Sequence, residues 1–504
     1  MTDSHHTSEL PKGWAWTELK EIAIEINSGF PSGRWKRGAE NGVLHLRPMN
    51  IDTKGKIELT DVKYVQAEGY DALSKGDVIF NNTNSPELLG KTACIREDTN
   101  WAYSNHMTRI RFFPSLMEPA FIGHYLHFLF RNGYFKTRCV HHVNQASIGK
   151  DFLSKMHIPF PPSSEQKRIV TKLDELFACL DTGIEGLRKV KAQLKRYRQA
   201  VLKYAFEGKL TQDWRNIHKG QIEPATKLLE KIRRERAVPE RFEKQSSTDT
   251  AGQFALPDTW TWAKLNDISM KITDGTHFTP QYVDYGTPFI SVKDVFDGLI
   301  SFEFCKHIAP EDHAKLAKRC NPEYLDVLIT KSGTIGRTAV VKTTEPFSLF
   351  VSVALIKPFK PYIDSNYLAL SLENYISSID IQQSVKGGVI KNLHIEDLKE
   401  IVIPLAPLME QKKIDEIAET HITMIDKTKL AVERALKQGE SLRQGILKKA
   451  YEGKLVPQDP SDEPADKLLE RIREERAKSM DEKDTNKTRK KNNPGQLELS
   501  SYVK

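Results

Sequence analysis

An internal repeat constrains this chain more than any other feature of its sequence. Leu10–Ala23 (LPKGWAWTELKEIA) returns as Leu256–Ser269 (LPDTWTWAKLNDIS), with both tryptophans retained. Pro224–Ala237 returns as Pro464–Ala477, and eleven of the fourteen positions are identical. A period of about half the chain is much longer than the roughly 20–50 residues of a solenoid repeat. The sequence therefore predicts a duplicated two-domain unit, in which a globular segment is followed by a helical segment and both then occur again.

The globular segments are predicted to be mixed α+β folds. Short apolar runs bounded by turn residues, such as Gly76–Phe80 and Asp326–Thr330, are typical of strands. Ala120–Phe130 and Tyr367–Ser378 are typical of helices. The predicted division has globular domains at 1–160 and 256–405, helical regions at 161–240 and 406–480, a linker at 241–255, and a charged tail at 481–504 that is expected to be disordered.

Each helical region begins with a long helix whose apolar residues are spaced as in a coiled coil. The first seam is predicted to be Leu173, Leu176, Leu180, Gly183, Leu187, Val190, Leu194, Tyr197, Val201 and Tyr204. The second, weaker seam is predicted to be Ile414, Ile417, Ile425, Val432, Leu442 and Ile446. Ser163 or Ser164 would cap the first helix, and Gly208 would end it. We expect the two helices to pair antiparallel, which would relate the two halves of the chain by a pseudo-twofold axis.

Composition excludes several classes of protein. The 504 residues include 75 Lys and Arg against 67 Asp and Glu, a net charge of +8 that permits an anionic partner without requiring one. No apolar stretch is long enough for a transmembrane helix, and the N-terminal residues lack the apolar core of a signal peptide. The five cysteines are an odd number without a CxxC pair, which argues against a disulfide framework and favours the cytoplasm.

The sequence contains only incomplete matches to catalytic motifs. Gly90-Lys91-Thr92 resembles the end of a phosphate-binding loop, but Ser85 stands where the motif needs its first glycine. The second copy has Gly336-Arg337-Thr338 at this place, and a turn that touches a polyanion is the better interpretation of both. The adjacent pair His141-His142 is not spaced as metal ligands on a helix face, and no acidic or cysteine cluster joins it. We therefore expect a chain without its own catalysis, cofactor or metal.

Loops that mix basic and amide side chains with aromatic residues indicate contact with double-stranded DNA. Arg34, Lys36 and Arg37 surround Trp35 in a glycine-containing loop. Arginine pairs well with guanine and asparagine or glutamine with adenine, while lysine neutralises phosphates. The further candidates are Arg47, Asn82, Lys91, Asn144, Gln145, Lys150, Thr276, His277, Lys293, Lys331, Arg337, Lys386 and Lys391. For any single residue, a solvated surface loop is an equally good interpretation.

One further basic segment lies within the first long helix. Arg188–Arg198 holds six basic residues in eleven. On a paired helix such a run is typically a solvated face, and a stripe that follows the phosphates of a DNA spacer is the sharper alternative.

The repeated motifs of the helical regions resemble one known family. The pattern Pro-x-x-Glu-Gln-Lys-x-Ile occurs at Pro162–Ile169 and Pro407–Ile414, and each long helix ends at Glu-Gly-Lys-Leu. With the opening Leu-Pro-x-x-Trp, these features are similar to the specificity subunit of type I restriction–modification systems, the HsdS family. The resemblance covers the whole chain in the family's order.

This resemblance implies a function and its partners. Each globular domain would be a target-recognition domain that reads one half of a bipartite DNA site, and the paired helices would set the spacer between the halves. Two modification subunits and further restriction subunits would join, and S-adenosylmethionine, ATP and Mg²⁺ would be bound by those partners. The apolar faces of the short helices would dock the modification subunits or pack on this chain's own core; they comprise Leu228, Leu229, Ile232, Leu468, Leu469 and Ile472.

The second copy departs from the first at one place, and two other functions stay open. Trp214-Arg215 becomes Asp459-Pro460 in the second copy, so the two ends need not dock partners identically. A fused restriction–methylation enzyme would need a cofactor loop, and the sequence offers none. A coiled-coil scaffold that binds only proteins is the third possibility.

Overall fold

The computed structural model describes residues 9–31, 42–66, 69–236, 254–296, 298–386 and 392–492. The chain divides into two compact units, and neither is a continuous segment. Unit 1 is Met1–Leu187 with Arg434–Lys504, and unit 2 is Arg188–Glu433. The mixed helix-and-strand class is confirmed. No helix in the described ranges is long and apolar enough to cross a membrane.

Unit 1 holds the first twelve strands. They are β1 (Ala15–Glu18), β2 (Glu25–Ser28), β3 (Val43–Leu46), β4 (Lys63–Val65), β5 (Val78–Asn81), β6 (Thr83–Asn84), β7 (Thr92–Cys94), β8 (Ala102–Tyr103), β9 (Met107–Arg111), β10 (Val140–His141), β11 (Ala146–Ser147) and β12 (His157–Phe160). Unit 2 holds the other twelve, which are β13 (Thr261–Lys264), β14 (Ser269–Asp274), β15 (Tyr282–Val283), β16 (Thr287–Ile290), β17 (Val295–Phe296), β18 (Leu299–Ile300), β19 (Lys306–Ile308), β20 (Val327–Thr330), β21 (Thr338–Val340), β22 (Ser348–Leu349), β23 (Val353–Pro358) and β24 (Val402–Leu405).

Eleven helices accompany these strands in the described part of the chain. They are α1 (Leu19–Ile22), α2 (Pro119–Arg131), α3 (Lys150–Ser154), α4 (Ser163–Phe206), α5 (Gln212–Ile217), α6 (Ala225–Glu235), α7 (Pro310–Ala317), α8 (Ser365–Lys386), α9 (Ile395–Glu400), α10 (Leu408–Tyr451) and α11 (Ala465–Asn492). The strands and helices predicted around residues 78, 120, 327 and 367 are all confirmed. The long helix α4 ends two residues before Gly208, whose φ of +70° suits a glycine there.

The duplication seen in the sequence is also present in the sheets. The antiparallel sheet β2-β9-β5-β7 of unit 1 has its counterpart in β14-β23-β20-β21 of unit 2. The pair β1-β12 corresponds to β13-β24, and the parallel pair β3-β8 corresponds to β16-β22. The central strands β5 and β20 are buried along their whole length, because α2 and α8 cover them. Each unit therefore contains one copy of the same globular fold.

The four repeated motifs meet at one joint in each unit. In unit 1, the Trp14 indole N–H donates to Glu165 Oε2 at 3.0 Å, close to the first turn of α4. A Cβ at Gly453, which follows α10, would lie 2.3 Å from Pro11. The backbone N–H of Ala465 donates to Gly13 O at 2.9 Å. The retained motifs thus serve packing between a globular domain and the helix ends beside it.

Unit 2 builds its joint from the equivalent residues. Trp260 donates to Glu410 Oε2 at 2.8 Å, and Ala225 N donates to Thr259 O at 2.9 Å. A Cβ at Gly208 would lie 2.4 Å from Pro257. In each unit, the joint therefore combines the start of the long helix that follows the unit's own globular domain with the end of the long helix from the other copy. This exchange explains why the compact units differ from the linear division predicted from the sequence.

The apolar faces of the short helices are buried in these same cores. They pack against the globular domain of their own unit, α6 in unit 2 and α11 in unit 1. The residues predicted to dock the modification subunits, all at most 7% exposed, are Leu228, Leu229, Ile232, Leu468, Leu469 and Ile472. The docking prediction for these side chains is wrong, because they complete this chain's own hydrophobic core.

The tail prediction also needs correction. Helix α11 continues to Asn492, so residues 481–492 are helical rather than disordered. Lysine, arginine and glutamate are good helix formers, and a helix that is already packed at its start can extend through them. Residues 493–504 and most of the predicted linker at 241–255 lie outside the described residues.

The seam of α4 differs from the prediction by one residue at alternate positions. The residues that turn inward are Leu173, Phe177, Leu180, Ile184, Leu187, Leu194 and Val201. Ile184 lies inward where Gly183 is predicted, and Phe177 is buried next to the predicted Leu176, which is half-buried and packs on the unit 1 core. Val190, Tyr197 and Tyr204 are exposed. Ile184 packs where α10 has Gly439, whose missing side chain lets the two helices approach closely. In the second helix, Leu442 is exposed and Arg443 is buried in its place.

Within each unit the two long helices run antiparallel. In unit 1, Asp181 pairs with Arg443 and Ile184 lies at Gly439. In unit 2, Lys191 Nζ lies 2.7 Å from Glu433 Oε1, and the Tyr197 hydroxyl lies 3.0 Å from His421 Nδ1. Residue numbers rise along α4 while they fall along α10, which establishes the direction in both places.

Candidate nucleic-acid interface

One edge of the main sheet gathers polar side chains in unit 1. Strands β2 and β5 end there, and β9 begins there. The Asn82 amide donates to Thr108 Oγ1 at 2.8 Å and lies 3.4 Å from Ser28 Oγ. Lys150 Nζ, at the start of α3, donates to Asn27 Oδ1 at 3.3 Å. We call this set, together with the equivalent positions of unit 2, the recognition edge.

The recognition edge of unit 2 has the same place in the fold and different chemistry. Asp274, at the end of β14, accepts hydrogen bonds from Lys331 Nζ and from Arg319 Nη2. His277 Nε2 lies 3.3 Å from the same carboxylate. Burial alone would raise the pKa of Asp274, but the Lys331 ammonium and His277 outweigh it and hold the pKa below its ordinary value. The edge therefore carries a carboxylate that is ionised at neutral pH and clamped between cations.

The backbone frame beneath the two edges is the same. Asn82 N donates to His106 O at 3.1 Å, and Lys331 N donates to Ser352 O at 2.9 Å. A Cβ at Gly29 would lie 2.0 Å from a carbonyl oxygen, and so would a Cβ at Gly275. Only glycine fits this crossing of two backbones. Asn82 and Lys331 hence occupy equivalent positions in one frame, with an amide in the first copy and an ammonium in the second.

A hairpin beside the edge of unit 1 presents uncommitted polar groups. Strands β10 and β11 pair with each other, and β11 pairs with β6, which directly follows Asn82. The tip of this hairpin includes Asn144 and Gln145, whose side chains are exposed, and Val143, which is 99% exposed. Its amide side chains can approach a base edge in a groove, where both donors and acceptors are needed.

The predicted DNA-binding residues divide into three groups. Those brought together at the recognition edges or on the adjoining hairpin are Asn82, Asn144, Gln145, Lys150, Thr276, His277 and Lys331. Those committed elsewhere, or set apart, are Arg47, Lys91, Lys293 and Arg337. Arg34, Lys36, Arg37 and Lys391 lie outside the described residues, as does the side chain of Lys386 at the end of α8.

Several of these predictions are wrong in their detail. Asn82 and Thr276 are buried, and their side chains hydrogen-bond within the fold, so they shape the edge rather than reach out from it. The Arg47 guanidinium donates to Asp61 Oδ1 at 2.9 Å and holds a loop. Lys91 is buried, and its ammonium donates to Pro48 O at 2.9 Å and to a second carbonyl oxygen. Burial lowers the pKa of Lys91.

Replacing Lys91 with methionine will destabilise unit 1 and leave DNA binding unchanged. The change removes the donor to two backbone carbonyls, which costs about 1–3 kcal/mol. DNA affinity measured over a salt series should keep its slope, since the ammonium does not face solvent. Lys150→Met is the matched control, because Lys150 is exposed at the recognition edge and should reduce the slope by about one. An equal loss of slope in both variants would contradict this assignment.

Sequence reasoning missed four residues of the recognition edges: Asn27, Ser28, Asp274 and Arg319. The repeat carried a signal for three of them, because Asn27-Ser-Gly29 in the first copy aligns with Thr273-Asp-Gly275 in the second. Arg319 follows α7, and nothing in the sequence indicates that it reaches Asp274. In the described ranges, no group of three or more His, Cys, Asp or Glu side chains is placed to hold a metal ion.

Comparison with known proteins agrees with this architecture. The family model described as the type I restriction modification DNA specificity domain matches twice, at residues 11–194 and 257–438. The EcoKI specificity subunit of Escherichia coli K12 is 24% identical, with 95% of this chain and 99% of that protein aligned. The EcoBI specificity subunit of Escherichia coli is 29% identical over 66% of each chain.

Solved structures show the same fold. One solved chain matches with a TM-score of 0.65 and 19% identity. Its structure describes the complex assembly and conformational transition of the type I R-M system. It covers 89% of this chain and all of its own length. The HsdS subunit from Thermoanaerobacter tengcongensis matches with a TM-score of 0.50 and 20% identity, over 90% of this chain and all of its own. Since the two family matches together cover most of the sequence, the chain belongs to the type I restriction–modification DNA specificity family.

Proposed function

We propose that this chain is the DNA sequence-specificity subunit of a type I restriction–modification complex and reads a two-part DNA target. The observation that carries the proposal is the pair of recognition edges, which share a backbone frame and differ in side chains. Asparagine suits adenine, whereas lysine and arginine suit guanine and phosphate. The exposed amides of Asn144 and Gln145 beside the first edge and the cation set around Lys331 at the second therefore fit two different half-sites.

The paired helices set the distance between the half-sites. Helices α4 and α10 each have 44 residues, about 66 Å of helix at 1.5 Å per residue. We propose that their antiparallel pairing continues along the whole length as a coiled coil, with a pseudo-twofold axis between the copies. DNA between the half-sites would then pass unread, and helix length would determine the length of that spacer.

The catalytic work belongs to partner subunits under this proposal. Two modification subunits would methylate adenine with S-adenosylmethionine, and restriction subunits would use ATP and Mg²⁺, all in the cytoplasm. The apolar faces of α6 and α11 are buried within the chain, so docking must use other surfaces near the two joints. The duplicated joints supply two equivalent places for two copies of one partner.

Mapping N6-methyladenine across a genome tests this function. A host that expresses the cognate modification subunit should show a bipartite methylated motif only when this chain is present. Exchange of residues 256–405 with those of a relative should alter one half of the motif and leave the other. The donor must keep the Leu-Pro-x-x-Trp opening, because Trp260 closes the joint with Glu410.

Two outcomes would favour the alternatives. If the purified complex with the modification subunit binds no DNA, the chain is a scaffold for proteins alone. If the isolated chain binds S-adenosylmethionine, the fused-enzyme interpretation regains support.

A further inference from the structure

A cavity of about 620 Å³ lies within unit 2, where the long helices face the recognition domain. Six cationic side chains line it, against two carboxylates, Glu373 and Asp426. The cations are Arg188, Lys191, Lys195, Arg198, Arg337 and Lys429. A volume of this size falls within the range of about 300–1,000 Å³ that is typical of small-molecule sites.

The cavity exists because charged residues replace the apolar residues of the helix seam here. Phe177 and Ile184 fill alternate seam positions of α4 in unit 1, and the same heptad positions in unit 2 hold Lys191 and Arg198. Charged side chains cannot close an apolar seam, so they turn aside to carboxylates. Arg198 forms a bidentate ion pair with Glu373, with N–O distances of 2.7 and 3.0 Å. The space that an apolar pair would fill stays open.

Some of the cations are held in place, and others lack a counter-charge. Lys191 is paired with Glu433 at 2.7 Å. In the described part of the chain, neither Arg188 nor Lys195 has a carboxylate within ion-pair distance. Arg337 reaches only the carbonyl oxygen of Val295, at 3.4 Å. Gathering such charges around one concave space costs electrostatic energy that an anion would relieve.

The equivalent cavity of unit 1 is an internal comparison. It measures about 480 Å³ and is lined by four Lys and Arg side chains against three carboxylates. Its Asp181 pairs with Lys54, Lys56 and Arg443, and its Asp174 pairs with Arg96, so each of these cations has a carboxylate partner. The larger excess of positive charge is thus a property of the unit 2 cavity and not of the fold.

We propose that the unit 2 cavity binds a small polyphosphate-bearing ligand of the nucleoside triphosphate class. The cations would hold the phosphates, and the apolar wall of Ile335, Ile376 and Ile425 would pack on the base. The site is separate from the recognition edge, so this proposal does not depend on the proposed function.

Titration calorimetry of the full chain with ATP, inorganic tripolyphosphate and adenosine tests the proposal. ATP should bind, adenosine at least tenfold more weakly, and tripolyphosphate severalfold more weakly than ATP. Lys195→Glu should weaken ATP binding at least tenfold. Arg196→Glu is the matched control, because Arg196 neighbours Lys195, is exposed and does not line the cavity; it should bind ATP as the unaltered chain does.

Other results would overturn the proposal. Equal weakening by both substitutions would show non-specific attraction to a basic helix. Equal affinity for tripolyphosphate and ATP would remove the nucleoside from the assignment. If ATP does not bind while Lys195→Glu, and not Arg196→Glu, weakens binding of a non-cognate duplex, the cavity serves the DNA backbone instead. Arg188→Gln gives a second, milder variant should Lys195→Glu fail to fold.

Discussion

Replacing Glu410 with glutamine is expected to lower the melting temperature of unit 2 by about 6–12 °C, whereas the same change at Glu165 should leave unit 1 unchanged or more stable. The two glutamates are equivalent in the repeat, and each accepts the indole N–H of its joint. They differ in what else surrounds them. The expected contrast follows from that difference alone.

Glu410 is the buried centre of a charged cluster. Its carboxylate is fully buried and accepts from Thr211 Oγ1 at 2.6 Å, from Trp260, and from the Arg215 guanidinium at 2.8 Å. Removing one member of a buried ion pair leaves the other uncompensated, which costs about 3–5 kcal/mol. For a body of this size, 1 kcal/mol corresponds to about 2–4 °C in melting temperature. The lower end of that range, about 3 kcal/mol, corresponds to the expected fall of about 6–12 °C in melting temperature.

Glu165 has no such partner, because Pro460 stands where the other copy has Arg215. Its Oε1 is buried without a hydrogen bond in the described structure. Burial raises the pKa of Glu165 above its ordinary value, and the Trp14 hydrogen bond only partly opposes this. A carboxyl whose pKa is raised by folding binds its proton more tightly when folded. Unit 1 should therefore lose stability as the pH rises from about 4.5 through the raised pKa, and Glu165→Gln should abolish that loss.

Hydrogen exchange measured by mass spectrometry resolves the two units, which a single melting curve of a two-unit chain does not. Peptides of unit 2 should exchange faster in Glu410→Gln, and peptides of unit 1 should not exchange faster in Glu165→Gln. The comparison should be made at pH 5 and pH 7.5, since the raised pKa of Glu165 makes its effect depend on pH. Equal destabilisation by the two substitutions would show that the joints are energetically alike and would refute the role given to Arg215.

The repeat made much of this architecture predictable. Motifs that are retained in both copies must serve something that both halves share. Trp14, Glu165 and Gly453 indeed meet at the joint of unit 1, and the equivalent residues form the joint of unit 2. The sequence could not show which helix end joins which domain. That exchange depends on antiparallel contacts between α4 and α10 within each unit, and the residues that make them are distant in sequence.

The errors have equally local causes. The even spacing of the seam predicts Gly183, yet the neighbouring Ile184 offers apolar surface and Gly439 accommodates it. Lys91 is predicted to meet DNA because it lies in the turn Gly90-Lys91-Thr92, a place from which a cation can touch a polyanion. Sequence does not reveal that its ammonium turns inward to two carbonyls.

Substituting Asp274 with asparagine should reduce discrimination for the second half-site by about tenfold or more, while non-specific DNA affinity holds or increases. The change keeps the size of the side chain and removes the charge that fixes Lys331 and Arg319. A cation that is held in one position can select a base, and loss of a good contact of this kind is worth about 1–3 kcal/mol. The freed cations still attract phosphates, so the salt dependence should steepen by about one additional contact.

Fluorescence anisotropy with the modification complex checks this prediction. Duplexes altered in one half-site or the other should be compared with the intact target over a range of salt concentrations. Ser28→Ala is the matched control, because Ser28 holds the equivalent position in unit 1 and makes only contacts of 3.4 and 3.5 Å. It should leave the second half-site untouched. Unaltered discrimination in a folded Asp274→Asn protein would mean that the second half-site is read away from this edge, and the hairpin and loop side chains would then carry the specificity.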